Sequence, residues 1–269
     1  MNKRSHKHQI YHKGFTLIEL LVVVAIIALL MAILMPALNR VRKQAKATSC
    51  QARLKQWALI WSLYASDNNG HFHVGLGGES QTGSNRWPDV LEDYYKDESI
   101  GICPMAVRTI GEGGQNPFAA WGGSGVFEDG SFGSFGFNEF LCDRPVTTAG
   151  GEFENYWKNI YNVKNMNNIP LFLDCVWYDV WVHDIDAPPA YDGSMDGVSG
   201  TNEIRRVCLN RHNRAVNSAF LDWSVRKVDL KELWTLQWHK NYDTNGPWTL
   251  AGNVQPSDWP EWMRSFKDY

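Results

Sequence analysis

From Leu20 to Met35 the chain contains no polar side chain at all. The wider stretch Phe15 to Leu38 is interrupted in its apolar character only by Thr16, Glu19 and Pro36. As a helix rising about 1.5 Å per residue it would be about 36 Å long, enough to cross a hydrocarbon core of about 30 Å. Any fold must therefore give this segment lipid or apolar neighbours, and it has to be classed as signal, anchor or both before the rest is read. Residues 1–14 carry Lys3, Arg4, Lys7 and Lys13, three histidines and no acid. The far flank is equally basic in Arg40, Arg42, Lys43 and Lys46. The positive-inside count is thus a tie and does not orient the segment. An ordinary signal peptide would use the small-x-small triplet Ala45-Lys46-Ala47, but the basic cluster separates that triplet from the apolar run. A simple anchor leaves Glu19 without a use, although an acid at such depth costs about 2.5–3.5 kcal/mol on insertion scales. Glu19 therefore calls for a specific cationic partner.

The order Lys13-Gly14-Phe15-Thr16-Leu17-Ile18-Glu19, followed by the uninterrupted apolar run, resembles the leader and assembly helix of type IV pilins and type II secretion pseudopilins. The resemblance implies cleavage after Gly14 and N-methylation of the new Phe15 amine, and it sets the C-terminal part outside the cytoplasm. Pro36 falls where pilin helices commonly carry a proline that kinks or locally melts the helix. Physical chemistry supports the pattern: a cleaved chain presents a cationic amine at Phe15, and Glu19 of an adjacent copy can neutralise it. Buried charges are tolerated when paired, and breaking a pair costs about 3–5 kcal/mol.

Beyond Pro36 the helical pattern changes character. Leu54, Trp57, Ala58, Trp61 and Ala65 recur at helical spacing along one stripe, with Lys46, Arg53 and Lys55 opposite. Asp67-Asn68-Asn69-Gly70 is a stop signal. The remainder reads as an α+β head. A short helix is expected within Trp87 to Tyr95, and glycine-dense loop from Gly111 to Gly136. Ile169 to Val176 is a strand candidate, and Ala215 to Leu221 and Ser224 to Leu230 form a hairpin around Asp222-Trp223. Short helices are expected over Leu230 to Lys240 and from about Ser257. The division is a 1–14 basic leader, a 15–38 membrane and assembly half of the helix, a 39–66 amphipathic half and a 67–269 extracytoplasmic head bearing an antiparallel sheet.

The head is also similar to a group of bacterial prepilin-like proteins, through Cys50, Leu54-Lys55-Gln56, Tyr64 with Asp67-Asn68, Cys103-Pro104, Phe135-Gly136-Phe137-Asn138 and Phe172-Leu173-Asp174. That group often ends in His-x9-Asp-Gly. Here His212 is followed nine residues on by Asp222, but then by Trp223, and glycine is the residue that readily adopts positive φ. His212 and Asp222 read as a structural pair that fixes the hairpin, since no nucleophile or third orienting group accompanies them.

Other constellations carry weaker signals. Asp174, Asp179, Asp184, Asp186, Asp192 and Asp196 lie in a stretch without Lys or Arg, a pattern that suits either Ca²⁺ or a solvated acidic face. Pseudopilins with a calcium site in the head supply a family precedent for the first. The 5 cysteines form no CxxC, so zinc is not signalled. Outside the cytoplasm a Cys50–Cys103 disulfide would tie helix to head, with core cysteines as the alternative. Six of the 13 tryptophans lie between Trp223 and Trp262, and read as a latch folding the tail onto the head, with exposed carbohydrate platforms as the alternative. A net charge of −3 offers no field for nucleic acid.

The resemblance implies a structural filament subunit and no enzyme. It would sit in the bacterial inner membrane with its head in the periplasm, or in a filament after assembly. Its partners would be copies of itself and other pseudopilins, the prepilin peptidase and methyltransferase, membrane lipid, and an assembly platform driven by a separate cytoplasmic ATPase. No cofactor is implied, calcium apart. The alternative is a membrane-anchored surface or carbohydrate-binding protein that uses the same processing route.

Overall fold

The computed structural model describes residues 16–75, 86–109, 116–122, 132–146, 150–198 and 201–269. The protein is α+β: one long N-terminal helix, then a head of short strands and 3-10 turns. Gly14 and Phe15 lie outside the described residues. The chain divides into two units, residues 1–44 and 45–269, with α1 (Leu17–Asp67) running from the first into the second.

In the first unit, every residue of α1 is exposed. An 18-residue window of this helix is apolar enough to cross a membrane and none of it is buried within the protein. The helix is continuous through Pro36, so no turn melts out there. Proline removes one backbone donor.

In the second unit, α1 buries Cys50, Leu54, Trp57, Ala58, Ile60, Trp61 and Ala65, the stripe its spacing predicts. Trp61 stacks on Phe137 at 4.4 Å, and Trp57 meets Trp87 and Phe172 at 4.9 and 5.5 Å. Such aromatic pairs add about 0.5–1.5 kcal/mol beyond area burial. The helix stops as its sequence dictates. Asn69 and Gly70 take positive φ of 54° and 81°, and the Gly70 N–H donates back to the Ala65 carbonyl at 2.7 Å. This left-handed ending satisfies carbonyls that a helix C-terminus otherwise orphans.

The main sheet has five strands among the described residues, in the order β6-β4-β5-β7-β8. These are β4 (Phe135–Asn138), β5 (Pro170–Asp174), β6 (Asp179–Val180), β7 (Ala215–Phe220) and β8 (Val225–Asp229). The β4–β5, β5–β7 and β7–β8 pairs are antiparallel, and β4–β6 is parallel. The three predicted strand regions thus hold β5, β7 and β8, with β5 and β8 trimmed at both ends and β7 only at its last residue. β4, β5 and β7 are buried along their whole length, as central strands covered on both faces should be.

The Gly111–Gly136 segment departs from the loop expected of it. Its described part contains β2 (Ala119–Gly122), parallel to β1 (Arg108–Thr109) and antiparallel to β3 (Phe132–Gly133). Glycine is used here for contact: a Cβ on Gly133 would lie 2.4 Å from the Trp121 ring. Glycine density marked close backbone-to-ring approach as well as turns.

The expected helices near the end are shorter than their pattern. Leu230–Thr235 is a 3-10 turn started by an Asp229/Glu232 capping box, and the tail holds only Glu261–Met263. Trp234, Trp238 and Trp259 are buried. Lys231 is buried with them, its Nζ 4.5 Å from the centre of the Trp259 ring and 2.7 Å from an Asp268 carboxylate oxygen. The aromatic tail is part of the core, as the latch reading requires.

Candidate functional site

Two places concentrate functional chemistry, one in each unit. In the first, the Thr16 backbone N–H and hydroxyl both donate to Glu19 Oε2, at 2.8 and 2.7 Å, and the Glu19 N–H donates to Thr16 Oγ1 at 3.3 Å. This is a capping box, in which Thr and the Glu three residues on satisfy each other's orphan donors at the helix start. Sequence reasoning saw Glu19 only as a partner for a distant amine. The Thr-x-x-Glu spacing was the signal it missed.

In the second unit, four segments distant in sequence converge on Asp174, at the end of β5. Its carboxylate lies 3.1 Å from Arg211 Nη1 and 3.0 Å from His212 Nε2, and it accepts the Asn217 N–H at 2.8 Å. Cys50 Sγ from α1 is 3.6 and 3.7 Å from its two oxygens, and Cys103 Sγ is 3.3 Å from His212 Nε2. The ligand atoms of Cys50, Cys103, Asp174 and His212 all lie within 4.8 Å of one another, and all four residues are buried. Arg211 is buried as well and donates to the carbonyls of Pro117, Ser134 and Ala119 at 2.8–2.9 Å.

Each group is held away from its ordinary behaviour. Burial alone would raise the Asp174 carboxyl, but the charges and hydrogen bonds of His212 and Arg211, with the Asn217 N–H, bring it down to about 2. Burial opposes a charged His212, yet Asp174 and Cys103 lift it to about 9. The Cys103 thiol, pushed up by burial, is brought down to about 7 by Cys50, His212 and Arg211, whereas burial drives Cys50 up.

The structure places the sequence-predicted residues differently from expectation in several respects. His212 pairs with Asp174, not with Asp222. Asp222 instead accepts the Ser224 N–H and hydroxyl at 2.9 and 2.6 Å, closing the β7–β8 turn. Trp223 takes the left-handed conformation there, φ 66°, in the position glycine holds in the related pattern. Cys50 and Cys103 are free thiols that lie beside each other, Cys50 also against Asp174 and Cys103 against His212. The aspartates do not share a cation site: Asp179 faces Arg206, Asp186 accepts the His183, Asn202 and Ile204 N–H groups, and Asp192 accepts that of Asn210. Among the described residues, Asp174 alone of the six belongs to a ligand cluster. Arg211, adjacent to His212, went unread.

A second buried group gathers His73, Glu139 and Cys142. Desolvation holds His73 down to about 3.

Comparison with known proteins defines the class at the N-terminus. Residues 11–35 match the family described as the prokaryotic N-terminal methylation motif, so the chain carries a prepilin-type N-terminus. It is also similar to the type IV wide pilus major component PilA4 of Thermus thermophilus, 49% identical over 59 residues. That match covers 22% of this chain and 45% of the relative, so the chain spans less than half of its length. No solved structure matches.

Proposed function

We propose that this protein is a structural subunit of a type IV pilus or type II secretion pseudopilus, without enzymatic activity. Its leader is removed after Gly14, Phe15 is methylated, and the chain assembles through the first half of α1 with its head outside the cytoplasm. The observation that carries the reading is the exposed apolar start of α1 with its single acid, Glu19, lying inside the methylation motif matched over residues 11–35. Such a helix needs lipid before assembly and neighbouring helices after it. Copies of the same chain supply those neighbours with one geometry throughout. Pilin peptidase, an assembly platform and a cytoplasmic ATPase are the partners this route requires.

The capping box sharpens the test. Glu19→Gln can still accept the Thr16 N–H, so it preserves the helix start while deleting the charge. Glu19→Ala removes both. If Glu19 neutralises the Phe15 amine of a neighbour, both variants lose filaments in electron micrographs while remaining processed and membrane-bound. Filaments from Glu19→Gln at the wild-type level would leave capping as the residue's whole contribution. Mass spectrometry of the mature wild-type chain is expected to find methylated Phe15 at its start. Correct processing with no filaments under any condition would favour an anchored display protein.

A further inference from the structure

We infer that Cys50, Cys103, Asp174 and His212 form a structural zinc site that clamps the second half of α1 to the head. The sequence offers no zinc pattern because the four residues come from four separate stretches: α1, the loop after the Glu98–Gly101 turn, the end of β5 and the approach to β7. Folding alone brings them together.

Their geometry suits one small ion. Zinc bonds of about 2.0 Å to nitrogen or oxygen and about 2.3 Å to sulfur set the edges of a tetrahedron at roughly 3.3–3.8 Å. With Asp174 Oδ2 as the carboxylate ligand, the observed separations are 3.3 Å from Cys103 Sγ to His212 Nε2, 3.7 Å from Cys50 Sγ to Asp174 Oδ2, and 3.0 Å from His212 Nε2 to Asp174 Oδ2, the last edge opening by a few tenths of an ångström around an ion. Two thiolates, one imidazole and one carboxylate form a mixed soft set that favours zinc over calcium or magnesium, which prefer oxygen alone. All four residues are buried, which leaves no open position for substrate water, the mark of a structural rather than catalytic centre.

The surroundings supply what a metal site needs beyond its ligands. The Asn217 N–H and the Arg211 guanidinium orient the Asp174 carboxylate. Two thiolates and a carboxylate outweigh a divalent ion by one negative charge, and buried Arg211 supplies the compensating positive one. Binding releases the two thiol protons and the extra proton His212 holds beside Asp174, so that a neutral imidazole places its Nε2 lone pair on the metal.

The test uses the full chain, purified from membranes in detergent without chelators or metal resin. Elemental analysis is expected to find one zinc per chain. Replacement by cobalt should give thiolate-to-cobalt charge-transfer bands and the intense visible bands of a tetrahedral ion. Chelation should lower the melting temperature of the head and open both thiols to alkylation. Cys103→Ser and His212→Ala should lose the metal, whereas Asp222→Ala, which removes only a turn contact, should keep it. The wild-type cobalt spectrum decides the matter even if the ligand variants fail to fold. A folded chain that holds no zinc and gives no cobalt bands would overturn the inference, as would a Cys50–Cys103 disulfide found by non-reducing peptide mapping.

Discussion

Between Leu17 and Leu38 α1 shows apolar side chains on every side and buries none of them, whereas between Ala45 and Asp67 it buries a single stripe. Both stretches share backbone geometry and period. The difference lies in the solvent each is written for. A helix apolar all round has no preferred face and suits lipid or a bundle of like helices, while a striped one is matched to a particular surface. The one acid near the start of the apolar stretch also caps the helix, and the cysteine and tryptophans of the striped one reach into the head.

That contrast can be broken most directly by truncation. Trp61→Ala removes a buried ring that stacks on Phe137, and is expected to destabilise the head by about 3–5 kcal/mol in denaturant unfolding. Ile27→Ala, exposed in the first stretch, should leave the same transition unmoved. Equal losses from both would show that the halves are not independent in stability.

Acid offers the next test. Burial lowers His73 to about 3 and His239 to about 4, so both stay neutral in the fold, and neither His239 ring nitrogen has a partner among the described residues. The unfolded chain binds protons at these positions from about pH 6.5 downward, so it holds more protons than the native state there. Stability conferred by keeping them neutral is therefore complete above pH 6.5 and falls as pH drops, by of order 3 kcal/mol for each histidine by pH 4. Replacing His239 with Phe should flatten that slope, read from melting temperature against pH, while the first stretch of α1 contributes nothing to it.

Smaller effects probe the glycine and turn positions of the head. Gly133→Ala drives a methyl into Trp121 and should cost about 1–3 kcal/mol, checked by the unfolding midpoint. Trp223→Gly relieves about 1 kcal/mol of left-handed strain and removes a half-buried ring, so the midpoint should move by less than about 1 kcal/mol in either direction. A large loss there would mean the indole, and not the turn, holds the β7–β8 hairpin to α1.

Much of this could be read along the chain. The methylation motif, the stripe from Leu54 to Ala65, the stop at Asn69-Gly70 and the strands β5, β7 and β8 each announce themselves within a few residues, because period, polarity and turn chemistry are local properties. Trp121 and β2 were hidden within a glycine-dense segment, since glycine marks loops and close packing alike. The pairing of His212 was misread for a related reason: Asp222 is near in sequence, but Asp174 is the carboxylate that the β5–β7 register brings to it.

By itself, then, the order of residues determined where the helix runs, which of its halves is apolar on every side, and which stretches pair as strands. Only tertiary structure decided that Cys50, Cys103, Asp174 and His212 share one buried point with Arg211 beside them. The physical reason is separation: an attraction between side chains distant along the chain leaves no mark on local pattern, and exists only once sheet pairing and helix docking have covered the entropy of bringing them together.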